Sequence, residues 1–143
     1  YTTGVEGVLV HELDDKVTIK KVRTFFEKDF PKLLNMAHIS YLDVKSPTLS
    51  NVPKASTNEN NMDNKMNWHN YAIDILNKVV KAFDGVSEKK RRFIEARYFN
   101  HLTWYEITDL TGYSRTQGSK ILNDALIEFA WAFADTEDLR VFK

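Results

Sequence analysis

Residues 103–123 read TWYEITDLTGYSRTQGSKILN, and this stretch determines the class of fold that we expect. Thr103, with a glutamate three residues later, has the capping-box pattern that begins a helix. Gly112 can end this short helix in a sharp turn, and Ser114 is a suitable N-cap for a further helix over about residues 115–134. The stretch therefore predicts two helices separated by a very short connection.

A short helix, a glycine-containing turn and a second helix form a helix-turn-helix, whose second helix enters the major groove of DNA. Ile107 and Leu110 are expected to pack inward. One face of the second helix is apolar, and the other carries donors for phosphates or base edges without an acidic residue. The DNA-binding residues predicted here are Tyr113, Ser114, Arg115, Thr116, Gln117, Ser119, Lys120 and Asn123.

A helix from Ser87 to about Asn100 precedes this pair, and its first turn holds the most basic run of the chain. The run consists of Lys89, Lys90, Arg91 and Arg92. Residues 85–123 hold seven basic and four acidic side chains, whereas the whole chain is neutral, with 20 of each. Two interpretations of the basic run stay open, a clamp on DNA phosphates and a solvated helix turn.

Two amphipathic segments lie further upstream. Residues 15–38 carry apolar side chains at helical spacing, and Pro31 predicts either a kink or a second helix that opens near Asp29. Residues 67–83 keep a helical register, and the following Gly85 predicts a left-handed C-terminal cap.

These segments predict an all-α protein. Its expected parts are an N-terminal helical segment at residues 8–42, a flexible linker rich in proline, serine and asparagine at residues 43–66, and a four-helix DNA-binding domain at residues 67–143. The last part is expected to stay folded on its own. The N-terminal segment has more apolar surface than a helical hairpin can bury, so it must pack on the C-terminal domain, a second copy or a partner protein.

Composition excludes several classes of function. The chain has 143 residues, of which 43% are hydrophobic and none is cysteine, so disulfides, thiolate catalysis and cysteine-based metal sites are excluded. The four histidines are widely separated, and no phosphate-binding loop or hydrolase motif is present. No apolar run approaches the ~20 residues that span a membrane. We expect no catalysis, cofactor, metal or membrane, and a location in the cytoplasm.

Several segments resemble the ArpU/RinA-like late transcriptional regulators of phages. They are SPTLSNVPKAS at residues 46–56, VRTFFEKDFPKLL at residues 22–34, GYSR at residues 112–115 and ALIEFA at residues 125–130. The last third also resembles region four of bacterial sigma factors, through Tyr98, Glu106 and LTGYS at residues 110–114. The resemblance implies an activator of late phage genes.

One residue departs from this resemblance. Gly118 stands where such recognition helices usually carry a larger buried side chain, and glycine costs about 1 kcal/mol of helix stability relative to alanine. We therefore expect a loose first turn in the absence of DNA.

Three functions stay open on the sequence alone. The first is a transcriptional regulator that binds double-stranded DNA, with RNA polymerase or another regulatory protein and a homodimer as further partners. The second is a helical adaptor that binds RNA polymerase or a viral regulator. The third is a packaging subunit like the small terminase, which would form ring oligomers. Steep weakening with ionic strength distinguishes DNA binding from an aromatic protein interface.

Overall fold

The computed structural model describes residues 11–40 and 67–143, and the regular elements in these two ranges are helices. They are α1 (Asp15–Thr24), a first π-helical turn (Phe25–Asp29), α2 (Phe30–Ala37), α3 (Trp68–Phe83), α4 (Glu88–Ile94), a second π-helical turn (Glu95–Phe99), α5 (Trp104–Thr111) and α6 (Arg115–Phe133). A single antiparallel bridge, between Leu13 and Phe142, stands beside them in the described ranges. The all-α prediction is confirmed, whereas the predicted linker at residues 43–66 lies outside the described residues.

The N-terminal helix passes through Pro31 without starting again. The backbone N–H of Phe30 donates to the carbonyl of Phe25, five residues earlier, which is the π-helical pattern. This wider turn accommodates the proline ring, which in a regular helix clashes with the carbonyl four residues before it. Asp29 has helical dihedral angles and its side chain caps nothing. The predicted second helix with Asp29 as its cap is therefore not observed, and the effect of Pro31 is a π-helical irregularity within a continuous helix.

Aromatic rings from both described ranges form the centre of the core. Phe26 lies 5.3 Å from Tyr98 and 4.8 Å from Phe129, measured between ring centroids. Phe30 stacks on Phe99 at 4.9 Å with an interplanar angle of 6°. All five side chains are buried. The apolar face of α1 and α2 therefore packs against the C-terminal helices of the same chain, while the independent folding of residues 67–143 stays a prediction.

The start of α1 is joined to the end of the chain by hydrogen bonds around a buried hydroxyl. Thr18 is fully buried, and its Oγ1 donates to the carbonyl of Val141 at 3.3 Å and accepts from the Val141 N–H at 3.0 Å. The N–H of Asp14 donates to the same carbonyl at 2.7 Å. These bonds fix the start of α1 to the segment that follows α6.

The end of α3 differs from the sequence prediction. Gly112 has a positive φ, but Gly85 does not, so the predicted left-handed cap at Gly85 is wrong. Gly85 instead permits close packing, since a Cβ at this position would lie 3.0 Å from the Cβ of Ala132 on α6. A contact between two helices, which no local pattern encodes, accounts for this glycine.

Candidate nucleic-acid interface

The short helix α5 begins and ends as its sequence predicts. The Thr103 hydroxyl accepts from the Glu106 N–H at 3.2 Å, and the Glu106 carboxylate accepts from the Thr103 N–H at 2.9 Å. The backbone bond first, and the bond from the Thr103 hydroxyl second, hold the pKa of Glu106 below its ordinary value. At the other end, Gly112 has a left-handed φ of 78° and its N–H donates to the carbonyl of Thr108. The predicted capping box and glycine turn are both confirmed.

The helix α6 starts with a second capping box immediately after this turn. The Ser114 hydroxyl accepts from the Gln117 N–H at 3.1 Å, and the Gln117 side-chain oxygen accepts from the Ser114 N–H at 3.2 Å. The side-chain oxygen of Gln117 is therefore engaged in the cap, while its amide group can still donate. These two bonds fix the direction in which the first turn of α6 leaves the turn at Gly112.

The first half of α6 separates buried from exposed side chains. Arg115, Thr116, Gln117 and Lys120 are exposed, and Ser119 and Asn123 are half-buried. Gly118, Leu122 and Ala125 are buried on the opposite face. The structure thus places the predicted DNA-binding residues of α6 on its solvent side and along one flank, and puts the half-buried Tyr113 in the turn before them.

Gly118 allows α5 to approach α6 closely. A Cβ on residue 118 would lie 3.0 Å from Cζ3 of Trp104 and 3.4 Å from Cε1 of Phe93. The indole ring of Trp104 therefore occupies the space that a larger side chain at position 118 would need. Trp104 on the neighbouring helix thus compensates for the small residue at position 118. The capping box at Ser114 bonds the first turn of α6, and the loose first turn in the absence of DNA stays a prediction.

Leu110 departs from the expected inward packing. Ile107 is 1% exposed as predicted, but Leu110 is 73% exposed, because the short helix α5 is covered mainly on its Trp104 and Ile107 side. Leu110 borders a cleft of about 750 Å³, which Phe93, Ile107 and Tyr113 also line. The predicted packing of Leu110 is wrong, and an apolar recess lies between α4 and α5.

The four side chains of the basic run at the start of α4 point to two different sides of the helix. The ammonium of Lys89 lies 4.6 Å from the centre of the Tyr113 ring, and Arg92 pairs with Glu88 at 2.9 Å. Lys90 instead forms an ion pair with Glu128, and Arg91 donates to the carbonyl of Phe83 at 3.3 Å. Lys89 and Arg92 both line the cleft beside Tyr113, so these two lie next to the turn that precedes α6.

The ion pair of Lys90 attaches α4 to α6. Burial opposes ionisation of Glu128, but hydrogen bonds from Lys90 and from the Ser87 N–H outweigh it, so the pKa of Glu128 lies below its ordinary value. The hydrogen bond with Glu128 likewise raises the pKa of Lys90. The ion pair therefore stabilises the packing of α4 on α6, and Lys90 has its carboxylate partner within the chain.

The structure adds arginines that the sequence analysis did not select. Arg23 of α1 donates through Nη2 to Oδ1 of Asn123 at 3.2 Å. The guanidinium carbons of Arg97 and Arg115 each lie 5.7 Å from the centre of a Trp104 ring. Arg23 and Asn123 are 100 residues apart, so no local sequence signal places them together.

Metal-binding groups and membrane-spanning helices were sought in the described parts of the chain. No group of three or more histidine, aspartate or glutamate side chains is arranged to hold a metal ion in residues 11–40 and 67–143. Over the same ranges, the helices are too short or too polar to cross a lipid bilayer.

Comparison with known proteins gives one informative match. The chain is 28% identical over 127 residues to a protein of Enterococcus hirae named as the autolysin regulatory protein ArpU, with 87% of this chain and 92% of that protein covered. No family model matches the chain, and no solved structure matches it significantly. The match extends over nearly the full length of both chains, and it supports a likeness to ArpU.

Proposed function

We propose that this protein is a sequence-specific DNA-binding transcriptional regulator whose helix α6 enters the major groove. The observation that carries the proposal is the exposed, polar first half of α6, which follows directly on the left-handed turn at Gly112. Arg115, Thr116 and Lys120 are exposed there. Such a helix-turn-helix presents donors to base edges, and its preceding helix crosses the DNA backbone.

The flanking charge supports the same placement. Lys89 and Arg92 lie beside the turn at Tyr113, where they would contact phosphates next to the groove. Lys90 and Arg91 contribute less, since Lys90 pairs with Glu128 on α6 and Arg91 donates to the backbone of α3, whereas Arg92 and its partner Glu88 lie on one exposed turn. The basic run is thus a phosphate clamp through two of its four side chains.

The regulated genes follow from the resemblance. The ArpU/RinA-like segments imply activation of the late genes of a phage or prophage, and the similarity to a protein named for autolysin regulation agrees with a regulatory role. The protein would act on double-stranded DNA in the host cytoplasm, with RNA polymerase and a second copy of the chain as further partners.

The decisive experiment is a binding survey over fragments tiled across the source genome, with and without RNA polymerase. Binding to the tightest of these fragments is then compared between Lys120→Ala and a matched control, Lys21→Ala. Lys21 suits this purpose because its charge acts on Asp138, beyond the end of α6. Lys120→Ala should weaken specific binding by about 1 to 3 kcal/mol if it contacts a base, or lower the salt slope by about one unit if it contacts a phosphate. Equal affinities of both variants and the unchanged protein would refute the proposal.

A second function is favoured by a separate observation. Tyr105 and Leu110 on α5 are 81% and 73% exposed, and Leu110 borders the apolar cleft between α4 and α5. An adaptor that binds another protein would use this surface. Loss of RNA polymerase binding in Leu110→Ser, with unchanged DNA binding, would assign the cleft to a protein partner.

A further inference from the structure

We propose that Arg23, Arg97 and Arg115 form a site for one phosphodiester group of the DNA backbone, so that α1 takes part in the interface with α6. This inference rests on the proposed function, because the phosphate belongs to the DNA whose groove α6 enters. It gives the N-terminal helix a direct role in binding DNA, in addition to its role in the core.

The three arginines converge on one cleft. The cleft has a volume of about 290 Å³ and is lined by these arginines together with Trp104, Ser119 and Asn123. Arg97 and Arg115 both lie against the Trp104 ring, and Arg23 reaches α6 through its hydrogen bond to Asn123. Three different parts of the chain therefore direct guanidinium groups to one place.

The chemistry of the cleft suits a single phosphate. Each guanidinium has five N–H donors in a planar fork that matches phosphate oxygens, and the bonds of Arg23 and Arg97 to neutral oxygens leave further donors on both groups. Glu27 is the carboxylate in the lining, so three positive charges stand against one negative charge. The net excess attracts an anion, and a phosphodiester carries one negative charge.

The hydroxyl of Tyr98 completes the lining as a neutral group. Burial raises the pKa of Tyr98, and this effect exceeds the opposing influence of the Arg23 guanidinium, which lies within hydrogen-bonding reach. The phenol therefore keeps its proton at neutral pH and adds no negative charge to the cleft.

The position of the cleft fits the backbone that borders a groove. Arg115, Ser119 and Asn123 lie four residues apart on one flank of α6, and all three line the cleft. When a recognition helix occupies the major groove, its flanks face the sugar–phosphate strands on either side. A phosphate beside this flank would be within reach of Arg23 and Arg97 as well.

The test uses the full chain and a labelled duplex of about 30 base pairs and mixed sequence, since phosphate contacts do not depend on sequence. Affinity is measured over a range of salt concentrations for Arg23→Gln, for Lys21→Gln as a control on the same helix, and for Glu27→Gln. We expect Arg23→Gln to weaken binding roughly tenfold and to lower the salt slope by about one unit. Lys21→Gln should leave the slope unchanged, and Glu27→Gln should tighten binding.

The outcomes separate the inference from the proposed function. If Arg23→Gln and Lys21→Gln bind alike while Lys120→Ala still weakens specific binding, the inference is wrong and the function stands. If the unchanged protein binds no duplex at any salt concentration, both are wrong. Tighter binding by Glu27→Gln with unchanged stability supports the inference, because the variant removes the negative charge that opposes a phosphate in the cleft. Titration with inorganic phosphate completes the test. If the protein binds free phosphate tightly while Arg23→Gln leaves the salt slope of DNA binding unchanged, the assignment of the site to DNA is overturned.

Discussion

Gly118 and Trp104 are in such close contact that a Cβ on residue 118 would lie 3.0 Å from the indole ring. In an exposed helix, alanine is preferred over glycine by about 1 kcal/mol. At position 118 the crowding with Trp104 offsets this preference. The two positions are therefore coupled, and a substitution at one changes the effect of a substitution at the other.

We predict that Gly118→Ala stabilises the protein in a Trp104→Ala background but not in the unchanged protein. The difference between the two backgrounds should be about 1 kcal/mol or more, because residues in contact couple by roughly 0.5 to 3 kcal/mol. Urea unfolding of the four variants measures it. Thr116→Ala, an exposed substitution in the same turn of α6, is the control and should show no coupling to Trp104.

The shared aromatic core predicts a single unfolding transition. Phe26 is 2% exposed and contacts rings from the second described range, so Phe26→Ala should cost about 3 to 5 kcal/mol. Circular dichroism during urea unfolding should show one transition that moves to lower urea as a whole. Tyr105→Ala, which removes a ring that is 81% exposed, should change stability by less than about 0.5 kcal/mol. A second transition that Phe26→Ala leaves in place would show that residues 67–143 unfold independently.

From the hydrogen bonds of the Thr18 hydroxyl we predict that Thr18→Val is less stable than the unchanged protein. The variant keeps the shape of the side chain but leaves the partly buried N–H of Val141 without its acceptor, which costs about 1 to 3 kcal/mol. Hydrogen exchange at the Val141 amide should accelerate along with the loss of stability. Thr24→Val, at an exposed position of the same helix, is the matched control, and similar losses in both variants would contradict the role of the buried hydroxyl.

The Lys90–Glu128 pair predicts a defined pH dependence. The pKa of Glu128 is lower in the folded protein than its ordinary value, so its contribution is full above the ordinary value and is lost as the pH falls through the folded value. The pKa of Lys90 is raised, so the pair also weakens as the pH rises through that higher value. Glu128→Gln should therefore be less stable than the unchanged protein near neutral pH, by about 1 kcal/mol or less.

The measurement is the free energy of unfolding at several pH values. The difference caused by Glu128→Gln should disappear in acid. Glu137→Gln replaces an exposed carboxylate on the segment after α6 and should show no such disappearance. A difference for Glu128→Gln that is constant down to strongly acidic pH would mean that the glutamine disturbs packing rather than the ion pair.

The parts of the fold that the sequence predicted are those that depend on neighbours along the chain. The capping box at Thr103, the N-cap at Ser114 and the turn at Gly112 each involve residues at most four positions apart, so their patterns are visible in the sequence. The predicted cap at Gly85 and the predicted inward packing of Leu110 are wrong because the placement of other helices determines the surroundings of both residues. For Gly85 the neighbour is Ala132, and nothing in the local pattern identifies it.

In the candidate site, too, the sequence predicted the local features but not the contacts between helices. The exposed residues of α6 follow from helical spacing and were predicted, although their contact with DNA stays a prediction. Arg23 reaches Asn123 from the N-terminal helix, and Arg97 is directed to Trp104 by the packing of α5. Both contacts depend on how helices are placed in space. Amphipathic spacing alone does not contain that placement.

The first π-helical turn joins two helical segments and sets the rotation of α1 relative to α2, whereas the second ends the helix that begins with α4. Each contains one residue more than a regular helix needs, with bonds from Phe30 to Phe25 and from Asn100 to Glu95. Removal of that residue from the first turn would rotate α1 by about 100° relative to α2, the angle of one helical residue. Arg23 would then face away from Asn123, while Phe30 kept its place in the core. The same rotation would carry Thr18 and Val22 out of their buried positions, so the length of this turn fixes the DNA-facing flank and the packed face of α1 together.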